Sequence, residues 1–86
     1  MTFSANIKFA GREDGGVLLN TDTGEMYGLD RVGSLICEAI AVGRSTAEAT
    51  AAVQARYPDM ARDELEKDVL EFIRQLDAWR LVAMPS

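Results

Sequence analysis

The reactive side chains of this chain are carboxylates and a single thiol, Cys37, with no histidine. Without an imidazole the commonest general base is missing, and one cysteine does not complete the usual zinc-ligand sets. Triads and metal sites built on histidine are therefore excluded. Carboxylate acid–base work needs a pocket deep enough to shift pKa values, and 86 residues leave little room for one. The spacing offers backbone chemistry instead. In VLLNTDTGEMYGLDRVGSLICEAI, Val17 to Ile40, a tight hairpin runs directly into a capped amphipathic helix. Asp22 suits the start of a type I turn and Gly24 the left-handed position after it. The chain then returns as Glu25-Met26-Tyr27-Gly28-Leu29. A short sheet whose last strand feeds a helix leaves a strand edge open beside the helical layer, and an open edge is a place where an extended peptide can add.

The elements that must position this edge follow from composition and periodicity. The length predicts one domain over 1–86, near the lower limit for folding on a single core without disulfide or metal. Fourteen acids against nine bases give a net charge of -5, which repels phosphate backbones and gives no attraction to anionic membranes. Nucleic acid and membrane are therefore not expected partners. Cys37 has no cysteine to pair with and reads as a small core filler. No stretch approaches the ~20 apolar residues of a membrane span, and the N-terminus lacks the pattern of a signal peptide, so a cytoplasmic setting is expected. No cofactor is implied.

Asn6 to Phe9 alternates polar and apolar residues, the signature of a half-buried first strand. Gly11 to Gly16 reads as a solvated turn. Val17 to Leu19 and Met26 to Leu29 then complete a three-stranded antiparallel meander. Asp30 is a good N-cap for a first helix in which Val32, Leu35, Ile36, Ala39 and Ile40 form one face before Gly43 stops it. Ser45 and Glu48 make a capping-box pattern for a second helix carrying Ala49, Ala52, Val53 and Tyr57, ended by Pro58. Asp59 is placed to cap a third helix over Met60 to Arg80, about 30 Å long, with Leu65, Val69, Phe72, Ile73, Leu76 and Trp79 in one apolar stripe. Trp79 is expected to cap the core, and Leu70 lies off the stripe. Leu81 to Met84 predicts a terminal extended segment. These elements describe an α+β domain, winged helix-turn-helix-like: a three-stranded antiparallel sheet followed by three helices.

Several residues taken together resemble a known family. They are the strand pair VLLNTDTGEMYGLD, the helix start Val32-Gly33 with Leu35 and Ile36, the break Gly43-Arg44-Ser45-Thr46, Tyr57-Pro58, and Asp68-Val69 with Phe72 and Leu76. In order and spacing, over about Ile7 to Val82, they resemble the PqqD-like precursor-recognition domains of ribosomally made, modified peptides. The resemblance is closest to the stand-alone members of lasso-peptide pathways. It implies a protein that is not an enzyme. The leader of a precursor peptide would add as a strand against the third strand, in a groove walled by the third helix between Asp63 and Trp79. Carried onto this chain, the leader-binding residues are Glu25, Met26, Tyr27, Gly28 and Leu29 on the strand and Asp68, Val69, Phe72, Ile73 and Leu76 on the helix. Lasso-type leaders commonly offer a tyrosine and a proline. The resemblance further implies hand-off of the bound leader to a separate peptidase, after which a cyclase closes the core peptide.

Some alternatives stay open from sequence. Tyr27 and Leu29 share one strand face and Met26 and Gly28 the other, without indicating which faces the core. Asp68 and Asp77 are either solvated helix charges or partners for a basic leader side chain. A winged-helix DNA-binding regulator would lay the third helix in a major groove, but Met60 to Arg80 carries six acids against four bases. A chaperone of another peptide-modification pathway and an adaptor that pairs its open edge in a homodimer complete the set. A monomer or weak homodimer is expected.

Overall fold

The computed structural model describes residues 1–83. Along the chain it has β1 (Thr2–Phe3), β2 (Ile7–Arg12), β3 (Gly15–Asn20), β4 (Met26–Leu29), α1 (Arg31–Ala41), α2 (Thr46–Arg56), α3 (Arg62–Ala78) and β5 (Val82–Ala83). The fold is α+β and winged helix-turn-helix-like, with the antiparallel sheet β2-β3-β4 followed by three helices.

The meander is longer than its sequence pattern suggests. Gly11, Arg12, Gly15 and Gly16 pair with one another in the ladder, so the expected solvated turn shrinks to Glu13 and Asp14. Glycine has no side chain to alternate, so periodicity could not report these residues as strand. At the second hairpin Gly24 takes a φ of 78°, as a left-handed turn position requires. The turn is organised by Asn20 rather than Asp22. The Asn20 carboxamide oxygen accepts the N–H groups of Asp22 and Thr23 at 2.9 and 3.2 Å, a side-chain mimic of a backbone turn.

Asp30 caps α1, its carboxylate accepting the Gly33 N–H at 2.7 Å. The helix ends in a Schellman turn: Gly43, at φ 76°, donates to Ile40 and Arg44 donates to Ala39. α2 opens with the expected capping box between Ser45 and Glu48. The Ser45 N–H, donating to the Glu48 carboxylate at 3.0 Å, and second the Ser45 hydroxyl beside that carboxylate lower the Glu48 pKa below the usual carboxylate value. On its inner face Thr50 is buried while Ala52 is only half-buried. The Thr50 hydroxyl can be buried because it donates to the Thr46 carbonyl at 2.9 Å.

α3 starts later and ends earlier than its pattern suggests, and at 17 residues it is about 25 Å long. Asp59 does not cap it; Ala61 occupies the N-cap without a side-chain hydrogen bond. The connection is held instead by Gln54, whose amide donates to the Met60 carbonyl and whose oxygen accepts from Arg62. Beyond α3, β5 pairs antiparallel with β1, Thr2 opposite Ala83 and Phe3 opposite Val82. The N-terminal strand has too few residues to show a period. Met84 lies outside the described residues.

The core sits between the inner face of the sheet and the three helices. α1 packs on the sheet, α2 on α1, and α3 on α2 and β5. Leu18 on the central strand, Ile36, Ile40, Val53, Leu65, Val69 and Leu81 are almost fully buried. Truncating one of them to alanine is expected to cost about 2–5 kcal/mol. Cys37 belongs to this core, and desolvation pushes its thiol pKa up to about 12. Among the described residues no helix is long and apolar enough to cross a membrane.

Candidate peptide-binding site

The strand order leaves β4 at one edge of its sheet, paired on one side to β3 and on the other to nothing among the described residues. The direction of each backbone group follows from two hydrogen bonds. Asn20 donates its N–H to the Glu25 carbonyl at 2.9 Å, and Thr21 donates to the Asn6 carbonyl at 2.8 Å. Because backbone groups alternate sides along an antiparallel strand, the even positions of β3 face β4 and the odd positions face β2. With Leu18 opposite Tyr27 and Gly16 opposite Leu29, the backbone groups of Tyr27 and Leu29 are used within the sheet. Those of Met26 and Gly28 point away from it. This edge therefore presents their N–H and C=O groups in the spacing an added strand needs.

Side-chain directions resolve the ambiguity left by the sequence. Tyr27 and Leu29 are half-buried and pack on the core, while Met26 is 66% exposed on the outer face. A Cβ built on Gly28 meets nothing within 4 Å, so the chain's own packing does not demand glycine there. Glu25 is exposed beside the turn.

α3 is the element expected to wall this edge. Val69, Ile73 and Leu76 are 0–3% exposed and belong to the core beneath the wall rather than to its surface. Asp68 and Phe72 do reach the surface. Together with Glu71 and Gln75, which the sequence reading passed over, they line an open hollow of about 570 Å³. Glu71 and Gln75 lie off the apolar stripe, so a search for hydrophobic periodicity misses them. Phe72 is half-buried with its ring against the start of α1, where a Cβ on Gly33 would come within 3.2 Å of it. The absent side chain at Gly33 thus lets α3 approach α1 just beyond the end of β4.

At the other end of the wall Trp79 leaves the core. It is 50% exposed and stacks on Tyr27 with ring centroids 5.5 Å apart. The helix closes through a second Schellman turn, in which Arg80 donates to Asp77 and Leu81 to Leu76. That turn holds Arg80 at a φ of 60° and directs the chain into β5. An open ladder, a partly apolar hollow and an aromatic pair are features suited to holding an extended peptide.

Two solved structures and one family model resemble this chain. The solved structure of TbiB1 in complex with the TbiA(beta) leader peptide superposes with a TM-score of 0.87 at 32% sequence identity, covering 100% of this chain and 99% of that one. Lasso peptide synthetase B1 complexed with the leader peptide superposes with a TM-score of 0.79 at 25% identity, covering 96% and 95%. No curated protein sequence matches at a significant level. The family model for coenzyme PQQ synthesis protein D matches residues 15–82, spanning the site and most of the core. The chain belongs to the PqqD family.

Proposed function

We propose that this chain binds the leader peptide of a ribosomally synthesised precursor by strand addition to β4 beside α3, and delivers it to a separate leader peptidase and cyclase in lasso-peptide biosynthesis. It acts in the cytoplasm as a binding subunit and breaks no bonds itself. The observation that carries the reading is the unpaired backbone of Met26 and Gly28 on a strand joined to the end of α3 by the Tyr27–Trp79 stack, and the Phe72 hollow on α3 supports it. Two structural relatives at 32% and 25% identity are complexes with leader peptides. Backbone pairing supplies affinity that tolerates sequence variation, while the hollow and the aromatic pair select side chains.

The proposed contacts divide by role. Met26 and Gly28 pair with the leader backbone. Tyr27, Phe72 and Asp68 meet its side chains, and Glu25 and Leu29 bound the strand. Val69, Ile73 and Leu76 hold the wall in place from the core side.

The test is a titration of the purified chain with a synthetic leader from the precursor encoded beside it, and with the core peptide as control. Saturable binding of the leader alone is expected. Met26→Pro and Gly28→Pro each remove an outward N–H that the native sheet does not use. Each should leave the fold intact and weaken leader binding by about tenfold or more, the equivalent of one net hydrogen bond plus local crowding. Folded variants that bind as tightly as the parent refute strand addition at β4.

A further inference from the structure

We propose that the hollow between the β2–β3 turn, α1 and the end of α2 is a docking site for a partner polypeptide, holding one of its acidic side chains beside an apolar one. This goes beyond leader binding and uses none of the β4–α3 residues.

Arg12 from the end of β2, Arg31 from the first turn of α1 and Arg56 from the last turn of α2 converge on a hollow of about 270 Å³, with Ser34 and Tyr57 also in its lining. The chain has nine basic residues in all, and three gather here from elements well separated in sequence. None of these three is ion-paired among the described residues, whose two salt bridges are Arg44–Glu48 and Arg62–Glu66. Helix stability explains Arg56, a cation at a helix C-terminus, but not Arg31. The positive end of a helix dipole favours anions, and the first turn of α1 carries no acidic residue. Asp30, the N-cap carboxylate, is committed to the Gly33 N–H. Guanidinium groups grip oxyanions through paired N–H donors, so uncommitted arginines converging on a concave surface form an anion receptor.

The remaining lining says which anion. Glu13 and Glu38 border the same hollow, so its excess is a single positive charge, which suits a carboxylate better than a dianionic phosphate. Leu35 and Glu38 are shared with a second, apolar hollow of about 450 Å³ lined also by Phe9, Ala39, Val42 and Ala52. Val42 is 69% exposed there. A polypeptide segment with an acidic residue followed by apolar ones spans both hollows; a free anion fills one.

The experiment titrates the ¹⁵N-labelled full chain at low salt with acetyl-Glu-Leu-Leu-amide, with acetyl-Gln-Leu-Leu-amide, and with inorganic phosphate. The Glu peptide should produce saturable shifts in the amides of Leu35, Glu38, Ala39 and Val42 and in the Nε–H signals of Arg12, Arg31 and Arg56. The Gln peptide should bind about tenfold more weakly. The folded triple variant R12Q/R31Q/R56Q should lose this preference. Equal response to the two peptides, phosphate binding more tightly than the Glu peptide, or an unchanged triple variant would each overturn the proposal.

Discussion

The Tyr27 ring lies stacked on the indole of Trp79, with planes 24° apart, joining the open edge strand to the last turn of α3. Trp79 is the sole tryptophan, and half of its surface faces solvent. A peptide added to β4 as proposed would run beside the strand on which that indole stacks. Its binding should therefore shift Trp79 emission to the blue, saturably, with the same midpoint that calorimetry gives. Trp79→Ala should lower the unfolding free energy by about 0.5–1.5 kcal/mol, the worth of an aromatic pair, and reduce leader affinity more than stability.

Tyr27→Pro forms an instructive contrast with the neighbouring proline variants. The Tyr27 backbone pairs with Leu18 within the sheet, so proline there removes a native ladder bond. A loss of about 1–3 kcal/mol is expected, read as a lower denaturation midpoint. Met26→Pro should leave that midpoint nearly unchanged. Equal destabilisation by the two would mean that the register of outward and inward groups is wrong.

Gly33→Ala tests the approach of α3 to α1. Alanine gains about 1 kcal/mol of helix propensity over glycine. Its Cβ, however, would press within 3.2–3.3 Å of the Phe72 ring and the Asp30 carboxylate. Phe72 has room to yield toward the open hollow. Stability should change little while leader affinity falls severalfold, as measured by titration of the variant alongside the parent.

Arg80 is the described non-glycine residue with positive φ. A side chain in that region is strained by about 1–2 kcal/mol, and glycine is not. Arg80→Gly should therefore stabilise the fold by about 0.5–1 kcal/mol after the added entropy of the unfolded chain is counted. Urea denaturation checks it, and the corresponding Gly43→Ala at the end of α1 should destabilise.

The buried Cys37 thiol gives a pH dependence of definite sign. Its folded pKa is raised from 9.0 to about 12, so between these values the unfolded chain loses a proton that the folded chain keeps. The contribution to stability is complete below pH 9 and is lost as pH rises toward 12, with a slope of up to about 1.4 kcal/mol per unit. Cys37→Ala should flatten this slope in alkaline denaturation. In the native state the thiol should react with a disulfide reagent only as fast as the chain unfolds.

Local signals in the sequence determined much of this protein. Asp30 before Arg31, Ser45 three residues before Glu48, Gly24 in the turn and Gly43 after α1 each act within one turn of backbone, and each holds its expected place. The four residues of β4 and the inward stripe Leu65, Val69, Ile73 and Leu76 were likewise legible, because burial of one face imposes a period. The tertiary structure decided what no local period encodes. It turned Tyr27 inward and Met26 outward, drew Trp79 out of the core onto Tyr27, paired Phe3 with Val82 across nearly the whole chain, and gathered Arg12, Arg31 and Arg56 into one hollow. Such convergence depends on how helices and sheet pack over the shared core. A strand pattern fixes which residues share a face, but only the layer packed against it fixes which face is wet.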